Sequence, residues 1–263
     1  MGLVDSPGGF GQSLGVPARQ NIYVGFRSAA RPSWQLLPFL TPPKSAEAAY
    51  TGDETVPHPP TSFTSLRPSD YERTLGWASD TWRADESRFG FSLLTPFSAV
   101  PDPARLNKSD ARFHLAPLVC GWIEYDNRGG ADPIELVFGV GDPARPLRPL
   151  ADTTSGLVGF AGGTDYGYAT KPSRGVELRQ AFDIFAPKFR DYRQLHVIAA
   201  ETALVFTVPA KQRKRFPLVL GFFAAGSVTT GLPATYAYTR VFRDLEDVMG
   251  RSLCEWIGWN YKF

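Results

Sequence analysis

The chain has 263 residues, of which 43% are apolar and 21% charged, and its formal net charge is +2. That length supports a sizeable core in one large domain or two small ones. The near-neutral charge gives no electrostatic footprint for a nucleic-acid partner or a membrane surface, and no run reaches the ~18 apolar residues of a bilayer span.

Gly 25 and Pro 23, with 19 Phe, 10 Tyr and 6 Trp, favour an all-β chain of short strands and many turns. Cys120 and Cys254 are the two cysteines and lie far apart. They predict neither a disulfide framework nor a zinc site, and a reducing, cytoplasmic compartment is the expectation. The opening "MGLVDSPGGFGQSLG" lacks a charged n-region and a continuous apolar core, so no signal peptide is expected. Gly2 and Ser6 match a myristoylation pattern only formally.

In chain order, "QNIYVGFRS" places Ile22, Val24 and Phe26 on one face of a strand. "SWQLLPFL" is a short apolar run, and residues 44–60 read as a Pro-rich loop. "RFGFSLL" alternates through Phe89, Phe91 and Leu93. "HLAPLVCGWIEYDN" sets Leu118, Cys120 and Trp122 against Val119, Ile123 and Tyr125, which predicts a strand buried on both faces. A turn at Asp126–Gly130 and a strand with Ile134, Leu136, Phe138 and Val140 on one side follow. "TSGLVGFAGG", "TDYGYAT", "QLHVIAA" and "ALVFTVP" read as further strands. "AKQRKR" between two apolar runs predicts a hairpin. Then the period changes: Tyr238, Val241, Phe242, Leu245, Val248 and Met249 carry helical spacing, with Pro233 in a first turn. There is no βα alternation and no fixed repeat. The predicted fold is all-β: a large antiparallel β-sandwich of supersandwich type with one C-terminal amphipathic helix. The predicted division is 1–230 for the sandwich and 231–263 for the helix and tail.

Catalytic signatures are absent from the sequence: it has no G-x-S-x-G elbow, no phosphate loop and no dinucleotide fingerprint. Gly159, Gly162 and Gly163 read as turn glycines. His58, His114 and His196 are isolated, and structural or surface roles are expected for them. Glycoside hydrolysis needs two carboxylates across the sugar bond. Asp85 and Glu86 are adjacent and face opposite sides of a strand. Glu124 and Asp126 share a face, but Asp126 begins a turn. Asp244 and Asp247 fall on the helix. Surface roles are expected for each pair. Lys211, Arg213, Lys214 and Arg215 could meet an anionic partner, although a solvated hairpin tip is the simpler reading. Tryptophan faces stack on sugar rings. Trp122 alternates with core residues and is expected inside, which leaves Trp82 as the substrate-binding candidate at a rim.

Several motifs recur in the order of a known family. "ARQNIYVG" (18–25) is similar to P-R-Q-N before a β-branched strand, and "LPF" (37–39) follows in place. "ASDTWRA" (78–84) resembles A-T-D-T-W-K-A, and "AVPDP" (99–103) matches directly. "IEYDN" (123–127) sits where the family has a strand ending in Asp-Asn. "GSVTTGLPATYAYTRVFRDLEDV" (226–248) is similar to G-C-V-T-A-G…Y-x-Y-T-R-F-F…E-E-V. The chain thus resembles the N-terminal β-sandwich of the family 52 glycoside hydrolases, which are β-xylosidases. The family's His-His-Ser-Pro segment has no clear counterpart before Ala18, and "CEWIGWNYKF" departs from the family's linker.

The resemblance implies an N-terminal sandwich, a helical linker and an (α/α)6 barrel. It implies hydrolysis of β-1,4-xylosides with retention by a Glu nucleophile and an Asp acid/base, both in the barrel. No residue here matches either catalytic position. The expected role is therefore a non-catalytic domain fragment of xylan degradation, inactive alone, with no cofactor and no metal. Its expected partners are a xylo-oligosaccharide and the catalytic barrel. The alternative is a stand-alone carbohydrate-binding or interaction module. One sandwich face and the stripe Val241, Leu245 and Val248 are expected to lie uncovered and to favour homo-oligomers.

Overall fold

A computed structural model describes residues 20–31, 33–39, 63–95, 102, 105–142, 146–150, 156–181, 183–185, 201–229 and 233–250. The expected Pro-rich loop at 44–60, the strand at 194–200, His58, His196, Cys254 and the tail from 251 lie outside these residues.

Two sheets face each other. The smaller contains β1 (Asn21–Ser28), β2 (Trp34–Leu36), β3 (Phe63–Ser65), β8 (Ile134–Gly141), β12 (Val176–Ala181) and β13 (Glu201–Val208), in the order β12-β13-β8-β1-β2-β3. The larger contains β4 (Tyr71–Leu75), β5 (Ser79–Ala84), β6 (Phe89–Leu94), β7 (Leu118–Asp126), β9 (Arg148–Pro149), β10 (Val158–Gly162), β11 (Tyr166–Thr170) and β14 (Arg213–Phe222). Its order is β4-β5-β6-β7-β14-β11-β10-β9. All pairs in both sheets are antiparallel except β2 with β3. The all-β sandwich expected from the alternation is the fold observed.

The core follows the two-residue period. Ile22, Val24 and Phe26 of β1 stand opposite Val140, Phe138 and Leu136 of β8, respectively, and turn inward with Phe89, Phe91, Ile123 and Tyr125 of the opposite sheet. A file of rings crosses this core: Trp82 on Phe91 at 5.4 Å, Phe91 to Phe138 at 5.9 Å, and Phe138 to Tyr168 at 5.2 Å. Offset and edge-on rings at such distances add attraction beyond their buried area. The phenol at the end of this file is satisfied, because the Tyr168 hydroxyl donates to Thr202 Oγ1 at 2.9 Å.

β7 is covered on both faces, as its double alternation predicts. Ile123 and Tyr125 enter the central core, whereas Leu118 and Cys120 enter a second cluster on the outer face. Burial raises the Cys120 thiol to about 12, so it packs as a small apolar group.

The C-terminal stripe is the cover of that outer face. Phe242, Leu245, Val248 and Met249 are buried against Val219, Ala161, Ala169 and Leu118. The expected uncovered stripe is therefore not there: the outer face of the larger sheet offered it an apolar partner. The helix also differs from the uniform one expected. Residues 237–240 form a 3₁₀ turn, the helical conformation is interrupted at 241–244, and residues 245–250 form α2. Asp244 and Asp247 explain the restart. Asp247 N–H donates to Asp244 Oδ1 at 2.7 Å, and Asp247 Oδ2 accepts from Arg243 N–H at 3.1 Å. These carboxylates satisfy amide donors that a helix start leaves open. Pro233 lies in the short strand β16 (Pro233–Ala234), paired with β15 (Val228–Thr229), not in a helical turn.

A further helix, α1 (Lys108–Leu115), stands where the sequence reading had begun a strand at His114. Asn107 caps it by accepting from Asp110 N–H at 2.9 Å. Arg112 of α1 lies over the Phe242 ring and 3.7 Å from Asp247, which ties α1 to the C-terminal segment.

The "AKQRKR" segment is not a hairpin. β13 lies in one sheet and β14 in the other, so the link between them arches from sheet to sheet. The turn after β7 does the same, and Asn127 fastens the two arches. Its Nδ2 donates to the carbonyls of Asp132 at 2.9 Å and Pro209 at 3.1 Å. Its backbone N–H donates to Gln212 O, and its carbonyl accepts from Lys211 N–H. An apolar run on each side of a polar tip looks the same in a hairpin and in an arch.

Candidate functional site

Trp82 is not at a rim. It is 1% exposed, with Phe91 stacked on it and Phe39 edge-on at 5.2 Å. Its position alternates into the core in register with Phe91; Arg83 beside it belongs to the opposite face, whereas Asp80, two residues back, shares its face. Its edge toward the margin is lidded: the Arg73 guanidinium stands 5.0 Å from the ring centroid and is clamped by Asp80 at 2.7 Å.

The same device recurs twice. Arg27 stands 4.6 Å over Trp34 and pairs with Glu135 at 2.6 Å. Arg215 stands 4.8 Å over half-buried Trp122 and pairs with Glu124 at 3.0 Å. Each of these three tryptophans thus carries an arginine that a carboxylate holds in place. Cation–π contact uses the ring face that a sugar would need.

The exposed indole of the described residues is Trp77, 97% exposed in the loop joining β4 and β5 beside exposed Leu75. Its neighbours Gly76 and Ala78 mark a turn in the sequence, and a large apolar residue at a turn is the signal by which it could have been found.

Of the acids weighed as catalytic pairs, Glu86 is exposed in the β5–β6 turn and the other five have structural partners. Asp85 sits in the β5–β6 turn, where its carboxylate accepts from the Tyr125 hydroxyl and from Arg88 Nη2 at 2.8 Å. Burial first, and then Asp85, push the Tyr125 phenol well above its ordinary range. Asp126 is gripped by Arg128 through Nε at 2.9 Å and Nη2 at 2.5 Å, and hydrogen bonds from that residue draw it down to about 2. Asp244 and Asp247 cap α2.

Glu124 is 1% exposed on its side chain and accepts from three guanidiniums: Arg83 Nη1 at 2.7 Å, Arg213 Nη2 at 3.1 Å and Arg215 Nε at 3.0 Å. Burial raises its affinity for a proton, but hydrogen bonds from Arg215, Arg83 and Arg213 outweigh that and leave it below its ordinary value. It is a fixed anion, not a proton donor. Two of the basic run's arginines therefore serve an internal partner, and the solvated hairpin tip was the wrong description of them.

Glu201 behaves in the opposite way. Burial raises it from 4.5 to about 7, against hydrogen bonds from Tyr23 and Ile184 N–H that favour its charged form. A carboxyl in that range suits general acid work. However, both of its oxygens are engaged, by Tyr23 at 2.6 Å and Ile184 at 3.0 Å. His114 lies in α1 with Phe113 edge-on to it at 5.1 Å. Among the described residues no three His, Cys, Asp or Glu side chains could together hold a metal ion. Nor is any described helix long and apolar enough to cross a membrane.

The model of glycosyl hydrolase family 52 matches residues 1–256. The chain belongs to glycosyl hydrolase family 52. Within this family it is similar to two proteins named beta-xylosidase from Geobacillus stearothermophilus. One is 28% identical over 94% of this chain and 36% of that protein. The other is 26% identical over 97% of this chain and 43% of that protein. The chain thus spans well under half the length of either relative, and corresponds to the N-terminal β-sandwich of the family 52 enzymes. The motifs take structural meaning in this frame. Asn127 of "IEYDN" is the fastener of the arches. Gln20 of "ARQN" donates from Nε2 to Asp142 Oδ2 at 2.6 Å, where the Tyr166 hydroxyl also donates at 2.8 Å.

Proposed function

We propose that the chain is the non-catalytic sandwich portion of a β-xylosidase-like retaining glycoside hydrolase, acting in xylo-oligosaccharide breakdown only alongside a helical catalytic barrel. The observation that carries this reading is the engagement of the candidate acids. Asp85, Glu124, Asp126, Asp244 and Asp247 each hold an arginine, a phenol or a helix start. A retaining mechanism needs two carboxyl groups about 5 Å apart, one poised to donate a proton and one free to attack. The share of the two β-xylosidases left unmatched is long enough for a separate catalytic domain.

The test compares the purified chain with a chimaera that joins it to the unmatched portion of one Geobacillus stearothermophilus β-xylosidase. An aryl xyloside should release nitrophenol with the chimaera and not with the chain alone. Release by the chain alone would overturn the proposal.

A second reading, a stand-alone carbohydrate-binding module, is favoured by one observation: Trp77 presents its ring to solvent. Saturable xylobiose binding by the chain, abolished in Trp77→Ala, would select that reading.

A further inference from the structure

The arginines around Glu124 form a row. Arg83 of β5, Gly90 of β6, Glu124 of β7 and Arg215 of β14 stand side by side in register across four neighbouring strands. Strands lie about 4.8 Å apart, so the outer two backbones are separated by roughly 14 Å, and both long side chains lean inward. Arg213 joins from two positions along β14. Gly90 keeps the middle open: a Cβ there would stand 2.5 Å from Arg83 Nη1 and 3.0 Å from Glu124 Cγ.

Glu124 takes one N–H from each guanidinium. An arginine has five such donors in a rigid fork, so a single buried anion orients three forks and leaves most of their donors unspent. Those donors meet water, since the side chains of Arg83, Arg213 and Arg215 are 31%, 49% and 44% exposed. The neighbouring acids reduce the field without cancelling it. Asp126 is already held by Arg128, and Glu72 lies opposite Arg83 on β4. Beside the row, the half-buried Trp122 ring lies beneath Arg215 and helps to fix its guanidinium.

We propose that this row binds a carboxylate carried on a sugar, that is, a uronic acid unit. The carboxylate matches the two-pronged geometry of preset guanidiniums. The sugar part rests on the reading that this chain serves a glycoside hydrolase.

The test is calorimetric titration of the whole chain with sodium glucuronate at low ionic strength, with xylose and sodium acetate as controls. Saturable glucuronate binding is expected, weakening several-fold between about 20 and 200 mM NaCl as screening grows. Xylose should not bind, and acetate should bind at least about tenfold more weakly, because it offers the carboxylate alone. Arg213→Gln, the most exposed of the three, should reduce glucuronate affinity at least about fivefold in a chain that still unfolds in one cooperative transition, since it removes a charged donor. If that variant fails to fold, Arg83→Gln gives the same reading. Absence of saturable binding by the folded chain, or binding indifferent to both variants, would overturn the site. Equal affinity for acetate and glucuronate would overturn the sugar assignment. Binding is read without hydrolysis, so failure here leaves the chimaera experiment to decide the proposed function separately.

Discussion

The Tyr23 hydroxyl donates to Glu201 Oε1 at 2.6 Å, joining β1 to β13 on the outer face of the smaller sheet. The other oxygen of Glu201 accepts from Ile184 N–H, and Phe185 closes over Tyr23 with its ring centroid 5.1 Å away. Burial dominates here and raises Glu201 to about 7 from 4.5.

That shift fixes the sign of a pH dependence. Between about 4.5 and about 7 the folded chain keeps a proton that the unfolded chain releases. The contribution to stability is complete below the lower value and is lost as pH rises through the upper one, by at most about 3 kcal/mol. Melting temperature should fall between pH 5 and pH 8. Glu201→Gln should flatten that slope, and an unchanged slope in the variant would refute the assignment.

Glu124 gives the reverse dependence. Its proton affinity is lowered, so its contribution is present above pH 4.5 and is lost as pH falls through the folded value. Removing the anion should cost about 2–3 kcal/mol, the scale of charge-assisted hydrogen bonds, because the arginines left behind are part-exposed and regain water. Urea unfolding of Glu124→Ala measures this, and a cost below about 1 kcal/mol would mark the cluster as a surface decoration.

Asn127→Ala should be among the most damaging polar substitutions. It removes the amide that bridges Asp132 and Pro209 and strands those carbonyls. A loss of roughly 2–4 kcal/mol is expected in urea unfolding, and Asn127→Asp should not rescue it, because a carboxylate cannot donate.

Leu245→Ala tests whether α2 belongs to the cooperative core. The side chain is fully buried, so the cavity should cost roughly 2–5 kcal/mol within a single transition. A merely tethered helix would lose well under 1 kcal/mol.

The β5–β6 turn stores a correctable strain. Asp85, Glu86 and Ser87 have φ of 52°, 54° and 65°, values that cost ordinary side chains about 1 kcal/mol or more. Replacing Glu86-Ser87 by Asn-Gly should raise stability by about 1 kcal/mol, as judged by thermal melting.

Strand positions and inward faces were legible because a two-residue period reports burial directly, as in Ile22, Val24 and Phe26. The period does not report which sheet a strand joins. That is why the arch at 209–212 looked like a hairpin. Nor does it report what an apolar stripe lies against, and so Leu245 and Val248 seemed destined for a missing partner when Val219 and Ala161 supplied one. The ion cluster was hidden for a related reason. Arg83, Glu124 and Arg215 are 41 and 91 residues apart in pairs, and only strand order brings them into one row. Trp82 is hidden for another reason: Arg83 beside it describes the opposite face, and Asp80 on its own face serves to hold Arg73 over the buried ring.

β14 lies in the middle of the larger sheet, between β7 and β11, although it is the last long strand along the described chain. During synthesis from the N-terminus, β9, β10 and β11 can therefore pair with one another but emerge with no strand to join them to β7. Their place in the sheet opens only once β14 has been made and has slid in beside β7. Closure of the sandwich is consequently a late, long-range event. A nascent chain halted before residue 213 would display an unfilled edge on β7 and another on β11, and both are templates for pairing with other chains. Ribosome-bound chains of this protein depend on the timing of a single strand.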